Sequence, residues 1–481
     1  MKYIPIFLLI LVSIIGCQSN EESAAVDPIQ LVEEGLIPAV VFEGQEIPKM
    51  NLYERMEHYK VPGVSIVFFR NDSIEWAKGY GFYSYQSSRR IDPYTLFQAA
   101  SISKPVAAAG ILRLAQTNRI DIDQAVNNYL TKEWKVPYNE LQQDSAVTLR
   151  KLLSHKAGVN VHGFPGYAQG EKLPTTTQIL KGQSPANTPA IAVTEVPGSV
   201  YRYSGGGYTI AQKVMEEMID GSLPDYLKNN ILLPFGMRNS FFLQPLPDAY
   251  KGAAAIGHRS DGTLVVGQWH NYPELAAAGL WTTPSDLANF ALELQRIYDG
   301  KTINVLNKKS VETMLTGVGP AVYQEQGRLA FGHGGANEGY RSTWWAFAEG
   351  DKAGFAIMTN SDSGMGLINE IKRSISEAYG WDYFHPETLV LVDLSEEQIQ
   401  GYQGRYYNED LQMQIEIIAQ PANLIIYEIG KEAAKESYFP IGSSSFVNTD
   451  TNDRVTFQLE EDNTLSGLVY NEQYEFTLIK R

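Results

Sequence analysis

The chain has 481 residues, a formal net charge of -16 and a hydrophobic fraction of 44%, with 28 Tyr and 19 Phe. That much apolar and aromatic content builds folded cores rather than a disordered chain, and the length allows about three domains at most. Acidity on this scale repels phosphate backbones and no basic run offsets it, so nucleic acid is not an expected partner.

At the N-terminus, Met1-Lys2 precedes an almost wholly apolar run from Ile4 to Ile15. The run is too short to cross a bilayer and reads as the core of a signal peptide over residues 1–16. It ends in Ile14-Ile15-Gly16-Cys17, which resembles the lipobox of bacterial lipoproteins, where the cysteine is lipidated after cleavage. Cys17 is the one cysteine in the chain, so no internal disulfide competes for it. Residues 17–45 are expected to form a lipidated tether, since Gln18 to Asp27 is polar and acidic with little to bury. The resemblance implies membrane attachment through Cys17 at the bacterial cell envelope, facing the periplasm or the exterior. An ordinary signal peptide followed by an incidental cysteine is the alternative.

Further along, Ile47 to Tyr59 is predicted as a helix, and Gly63 to Phe69 with Ser73 to Gly81 as a hairpin around Asn71-Asp72. Helices are expected from Ser101 to Thr117, Thr148 to His155, Gly207 to Ile219, Ser285 to Tyr298, Lys308 to Thr316 and Ile368 to Tyr379. Ser342 to Ala348 and Gly354 to Thr359 form another strand pair. Strands at both ends of a helical middle point to one sheet assembled from both ends of the region, with a helical subdomain beside it. After Trp381 the pattern changes. Leu411, Met413, Ile415 and Ile417 alternate with polar partners, as do Val455, Phe457 and Leu459, then Tyr474, Phe476 and Leu478. Short half-buried strands of this kind predict a small all-β, barrel-like unit.

Ser101-Ile102-Ser103-Lys104 sets a hydroxyl and an amine on one helical face. The mostly apolar stretch Val106 to Leu114 would desolvate the amine, lower its pKa and let it act as a base toward the hydroxyl. Pro105 suits a first helical turn, which puts Ser101 at a helix N-terminus, where backbone N–H groups favour a developing anion. A capping serine beside a surface lysine fits the same four residues, and a chain of this length carries roughly one such pair by chance. Two further segments change the weighting. Tyr203-Ser204-Gly205-Gly206-Gly207 puts a tyrosine before a glycine-rich turn that opens a helix. Phe331-Gly332-His333-Gly334-Gly335-Ala336 is a strand whose glycines permit close backbone approach.

In order and spacing these three segments resemble the serine β-lactamase and penicillin-binding superfamily, in its class C-like branch (family S12 hydrolases). Thr148 to Gly158, Leu233 to Met237 and Ala278 to Leu287 also match the family pattern, so the resemblance runs from about Met56 to Ser361. The trailing β-unit resembles the lipocalin-like domain that often follows this hydrolase domain. The resemblance implies that Ser101 is the acylated nucleophile, Lys104 its general base and Tyr203 a partner in proton transfer. It places His333 near the substrate carboxylate or the tyrosine, and makes the N–H groups of Ser101 and Ala336 the oxyanion hole. The family's Asn two residues after the tyrosine is Gly205 here, a departure that bears on β-lactam recognition more than on acyl-enzyme formation.

Gly205, Gly335, His162, Tyr272 and Glu274 are expected beside the substrate, His162 from a loop and Tyr272 and Glu274 from the segment before Ala278. His155, at a helix C-terminus, reads as structural, and Arg341 as solvated. The seven histidines show neither H-E-x-x-H nor a tight Cys/His cluster, so neither a metal nor an organic cofactor is expected. The fold class expected is α/β (α+β). Residues 46–385 would form a β-lactamase/transpeptidase-like hydrolase domain with a central antiparallel sheet and a helical subdomain. Residues 393–481 would form the β-barrel-like domain. The expected function is acyl-enzyme hydrolysis of an ester, amide, D-amino-acid peptide or β-lactam carbonyl in a small molecule or short peptide. The alternative is a catalytically silent binding or scaffold lipoprotein.

Overall fold

Six strands build the central sheet. Strands β1 (Gly63–Arg70) and β2 (Ser73–Gly81) come from the N-terminal side, and β3 (Ala321–Glu325), β4 (Arg328–Asn337), β5 (Tyr340–Phe347) and β6 (Gly354–Thr359) from the far side of the helical region. The computed structural model describes residues 27–480 except 131–132, 303–304, 326, 432–434 and 463. The expected signal peptide, Cys17 and residues 18–26 of the expected tether lie outside the described residues, whereas residues 27–45 are described and bury Val32, Leu36 and Val40 against the fold.

The strand order is β2-β1-β6-β5-β4-β3, every pair antiparallel, so the two ends of the region meet where Val64 to Phe69 runs beside Thr359 to Gly354. One face buries Val67, Phe69, Phe331, Trp344, Ala356 and Met358 with the helical region. The other buries Ile66, Phe68, Trp345, Phe347, Phe355 and Ile357 in a second core. Nearly every residue of β1 and β6 is buried, which explains their continuous apolar runs.

Seven helices frame the site, the sheet and the contact with the C-terminal unit: α1 (Leu52–His58), α2 (Ser103–Gln116), α3 (Leu149–Leu153), α4 (Gly205–Met218), α5 (Leu275–Ala278), α6 (Pro284–Tyr298) and α7 (Gly364–Ala378). α6 lies on the first face and α7 on the second. The helix expected over Ile47–Tyr59 is shorter, because Asn51 caps it by accepting from the Tyr53 N–H.

The C-terminal unit is a closed antiparallel barrel of eight strands. These are β7 (Gly404–Asn408), β8 (Met413–Ala419), β9 (Leu424–Glu428), β10 (Glu436–Pro440), β11 (Ser445–Asn448), β12 (Arg454–Leu459), β13 (Leu465–Tyr470) and β14 (Tyr474–Lys480). The first and last strands pair to close it. Ile415, Ile417, Val455, Phe457 and Phe476 point into its core, as the alternation requires, whereas Leu411 and Leu459 are exposed. The barrel touches the larger unit through Asp450, which pairs with Arg55 (2.9 Å) and His58 (2.8 Å) of α1, and through the Val40 N–H donating to Thr449 O (2.9 Å).

Candidate active site

Ser101 sits in a single 3-10 turn, Ala100–Ile102, directly before α2. Ala100 takes φ +50°, a conformation that side-chain-bearing residues seldom adopt, so the backbone before Ser101 is strained. The surroundings hold it there. Ser103 Oγ donates to Ala100 O (2.5 Å) and accepts from the Leu280 N–H (3.0 Å), while the Ala99 N–H donates to Leu280 O (2.9 Å). From the sheet, Ser342 Oγ donates to Ala99 O (3.1 Å). A Cβ on Gly335 would lie 2.2 Å from that same oxygen, so the glycine is what lets β4 press against the turn.

One helical turn on, Lys104 is 2% exposed, and its Nζ donates to Ser101 Oγ (2.8 Å) and to Ala277 O of α5 (2.9 Å). The i, i+3 spacing therefore does bring amine and hydroxyl into contact. Burial pushes the Lys104 amine down to about 7, so a large fraction of it is neutral near neutral pH and able to accept a proton.

Tyr203 completes the cluster. It is hydrogen-bonded to Ser101, and burial, opposed by that bond, pushes its phenol up to about 12. Its ring lies 5.0 Å from Lys104 Nζ, a cation–π contact available when the amine is charged. Three imidazoles surround the ring, at centroid distances of 4.2 Å for His155 (stacked), 4.9 Å for His162 and 6.0 Å for His333. Burial, then the nearby Lys104 charge, lowers His155 to about 3 and His333 to about 4, so both are neutral in ordinary buffers. His333 Nδ1 lies 2.6 Å from Gly334 O and must donate to it, which leaves Nε2 as the acceptor.

His155 is the residue that the pattern undervalued. It does end α3, at φ +58°, but it also forms the floor under Tyr203, and its Nδ1 accepts from the Ser204 N–H (3.0 Å). A helix-terminal histidine before a glycine has an ordinary structural explanation, and its neighbour Tyr203 is 48 residues away in the chain, so nothing local marks the stacking.

The Cβ position of Gly205 points at the loop of His162 and Phe164. It is buried, and a Cβ there would meet the Phe164 ring at 2.9 Å and His162 O at 3.1 Å. The loop carrying these residues caps α4: the Gly205 N–H donates to His162 O (2.9 Å), the Gly206 N–H to Val161 O (3.0 Å) and Ser204 Oγ to Asn160 O (2.7 Å). Val161 pays for the turn with φ +60°, a strained state for a β-branched residue. Glycine at 205 thus leaves room for a loop that brings exposed His162 to Tyr203.

Two further expectations need correction. Tyr272 and Glu274 are wholly buried and present nothing to solvent. The Tyr272 hydroxyl accepts from the Glu338 N–H (2.9 Å) and so ties a core segment to the β4–β5 turn. Among the described residues no other residue hydrogen-bonds either carboxylate oxygen of Glu274, and burial, opposed by its own backbone N–H, raises the acid to about 8. Arg341 is not free in solvent either: it pairs with Asp362 (2.9 Å) and donates to Asn337 O and Tyr340 O. Ala336 lies exposed on β4, opposite Arg341. Among the described residues no group of three or more His, Cys, Asp or Glu is placed to hold a metal ion.

These features have known counterparts. Protein flp of Staphylococcus aureus (strain NCTC 8325 / PS 47) is 29% identical over 229 residues, 47% of this chain and 42% of that protein. The putative penicillin-binding protein PbpX of Bacillus subtilis (strain 168) is 24% identical over 311 residues, 62% of this chain and 71% of its own. The chain thus spans less than half the length of the flp relatives it matches. Among solved structures, the octameric penicillin-binding protein homologue from Pyrococcus abyssi aligns over 88% of this chain and 98% of its own, with TM-score 0.59 and 22% identity. D-amino acid amidase from Ochrobactrum anthropi SV3 aligns over 68% and 96%, with TM-score 0.55 and 20% identity. These likenesses share the fold. The Beta-lactamase family pattern matches residues 51–379, well over half of the chain and the whole Ser101, Lys104, Tyr203 and His333 cluster, and the chain belongs to that family.

Proposed function

We propose that the protein is a serine hydrolase working through an acyl-enzyme, and the observation that carries this reading is the 2.8 Å contact between a desolvated Lys104 amine and Ser101 Oγ. In the proposed cycle, Ser101 Oγ bonds to the substrate's carbonyl carbon while its proton passes to Lys104. The N–H groups of Ser101 and Ala336 receive the oxyanion, and Tyr203 relays the proton to the leaving group as its bond to carbon breaks. Water then attacks the acyl carbon and the same groups return the proton to Ser101. The neutral imidazole of His333, with Nε2 free to accept, takes a hydrogen bond from the substrate or from Tyr203.

The substrate class is a carbonyl of an ester, amide, D-amino-acid peptide or β-lactam in a small molecule or short peptide. The family match and the amidase and penicillin-binding likenesses support this class. The lipobox-like Ile14 to Cys17 supports a lipid-anchored protein of the cell envelope, with the barrel as its C-terminal, lipocalin-like domain. The class C-like (S12) assignment rests on Tyr203 and on His333-Gly334-Gly335.

A fluorophosphonate label read by intact mass tests the mechanism. One adduct is expected on the wild-type chain and none on Ser101→Ala. No adduct on wild type, or an adduct that persists in Ser101→Ala, leaves the catalytically silent scaffold as the better reading.

A further inference from the structure

One residue holds Tyr203 in three places. The Arg202 N–H donates to His155 O (2.8 Å) and the Ser204 N–H donates to His155 Nδ1 (3.0 Å), so the backbone on both flanks of the tyrosine is anchored to His155. Between these two bonds the imidazole lies against the phenol ring, with 4.2 Å between centroids and 29° between planes. The imidazole is itself fixed. His155 is 6% exposed, Tyr208 of α4 packs against it at 5.4 Å, and the Tyr208 hydroxyl donates to Leu153 O of α3 (2.9 Å).

The arrangement demands a neutral imidazole in one tautomer. An Nδ1 that accepts from Ser204 carries no proton, which puts the hydrogen on Nε2, an atom buried with no hydrogen-bond partner among the described residues. Protonation would remove the acceptor and set a second cation near Lys104, and burial followed by that charge keeps the ring neutral. Few side chains supply both contacts. Phenylalanine would stack but leave the Ser204 N–H without its acceptor, and asparagine would accept but give up the stacking. A corner with a purely structural task has no reason to keep an orphaned buried donor, since such groups destabilise a fold.

The side chain held in this way has a task that tolerates little swing. In the proposed cycle Ser101 Oγ bonds to the acyl carbon, the bond from that carbon to the leaving atom breaks, and the Ser101 proton ends on the leaving atom by way of Lys104 and Tyr203. Such a transfer needs the phenol oxygen within hydrogen-bond reach at the moment the bond breaks. We propose that His155 is a positioning residue for this transfer: by fixing Tyr203 through its backbone and its ring face together, it sets how readily the proton reaches the leaving atom. Attack by Ser101 depends on Lys104 instead. The inference rests on the acyl-transfer reading of Ser101.

The test measures kcat/KM of the full chain on two acetate esters. 4-Nitrophenyl acetate releases a phenolate that leaves without a proton, whereas 4-methoxyphenyl acetate has a poorer leaving group that gains from one. His155→Asn keeps an acceptor and tolerates the positive φ, so it should fold; His155→Phe keeps the ring. At least one of them is expected to raise the ratio of the nitrophenyl to the methoxyphenyl value about tenfold above the wild type. Tyr203→Phe should raise it further. The double variant His155→Asn/Tyr203→Phe should match Tyr203→Phe within about twofold, because a residue that acts through the tyrosine then has nothing left to position. A ratio that stays at the wild-type value in both His155 variants, or a double variant clearly slower than Tyr203→Phe, overturns the proposal and makes His155 a structural residue. Ser101→Ala separates the two readings. Hydrolysis undiminished in Ser101→Ala sinks the acyl-transfer reading and the role of His155 with it, while Ser101-dependent hydrolysis with an unmoved ratio sinks the His155 assignment alone.

Discussion

Two lysines flank the strand that bears His333, one on each face of the sheet. Among the described residues neither Lys104, which is buried, nor Lys372, which is half-buried, has a carboxylate to pair with, and burial lowers both amines, to about 7 and about 8. Their partners set them apart. Lys104 donates to a hydroxyl and a backbone carbonyl, so its neutral form can take a proton from the hydroxyl already hydrogen-bonded to it. Lys372 lies against a ring face and an amide oxygen, which favour a cation and offer no proton to abstract. Loss of solvent can prepare a base or merely hold a cation, and the neighbouring atoms decide which.

The largest expected effect that would break this comparison concerns the base. Lys104→Met should slow fluorophosphonate labelling of Ser101 by roughly a hundred- to ten-thousandfold. Stability should not fall with it. The folded-state pKa of Lys104 lies below its unfolded value of 10.5, so folding disfavours the proton, and this group's contribution to stability rises with pH across about 7 to 10.5. Below pH 7 the burial cost is present in full and Met removes it. The melting temperature of Lys104→Met at pH 6 should therefore equal or exceed that of the wild type, and a clear drop would make the lysine a structural residue.

Next in size is the pH profile. The labelling rate should climb about tenfold per unit below pH 6 and level off above pH 7 as Lys104 loses its proton. His155 and His333 are already neutral there and should add no inflection above about pH 5. A rate independent of pH between 5 and 8 would mean that Lys104 is not the base.

Gly205→Asn gives the family side chain back to the site. The structure predicts a loss of about 1–3 kcal/mol in a urea titration, since a Cβ at 2.9 Å from Phe164 overpacks the loop contact. Unchanged stability would show that the loop is not wedged as described. The smallest effect lies far from both lysines. Asp450→Asn at the barrel contact should cost about 1 kcal/mol, because the pair with Arg55 is only partly shielded, and should leave the labelling rate unchanged.

Much of this was legible in the sequence because it rests on local periodicity. The barrel strands follow from alternation, the β1–β2 hairpin and the β5–β6 pair from short apolar runs on either side of turn residues, and Ser101 with Lys104 from helical spacing. The remainder depends on contacts between distant segments. His155 under Tyr203, Phe164 over Gly205 and the burial of Tyr272 are set by how loops pack, which no window of neighbouring residues encodes. Glu274 shows the limit best: an acid before a short helix reads as solvated or functional, yet it lies wholly buried, with no other described residue hydrogen-bonded to its carboxylate.

The five residues of β4 beyond Gly332, which pair with β5 but not with β3, carry one more consequence. An exposed strand edge recognises main chain, whose N–H and C=O groups are common to all peptides, and is indifferent to the side chains that it carries. At Gly335 that edge is covered by the strained serine turn, whose Ala99 O would lie 2.2 Å from a Cβ there, so the turn as well as the strand limits what can lie along it. Side-chain preference could therefore drift by remodelling the surroundings of the edge alone, with Ser101 and Lys104 left untouched.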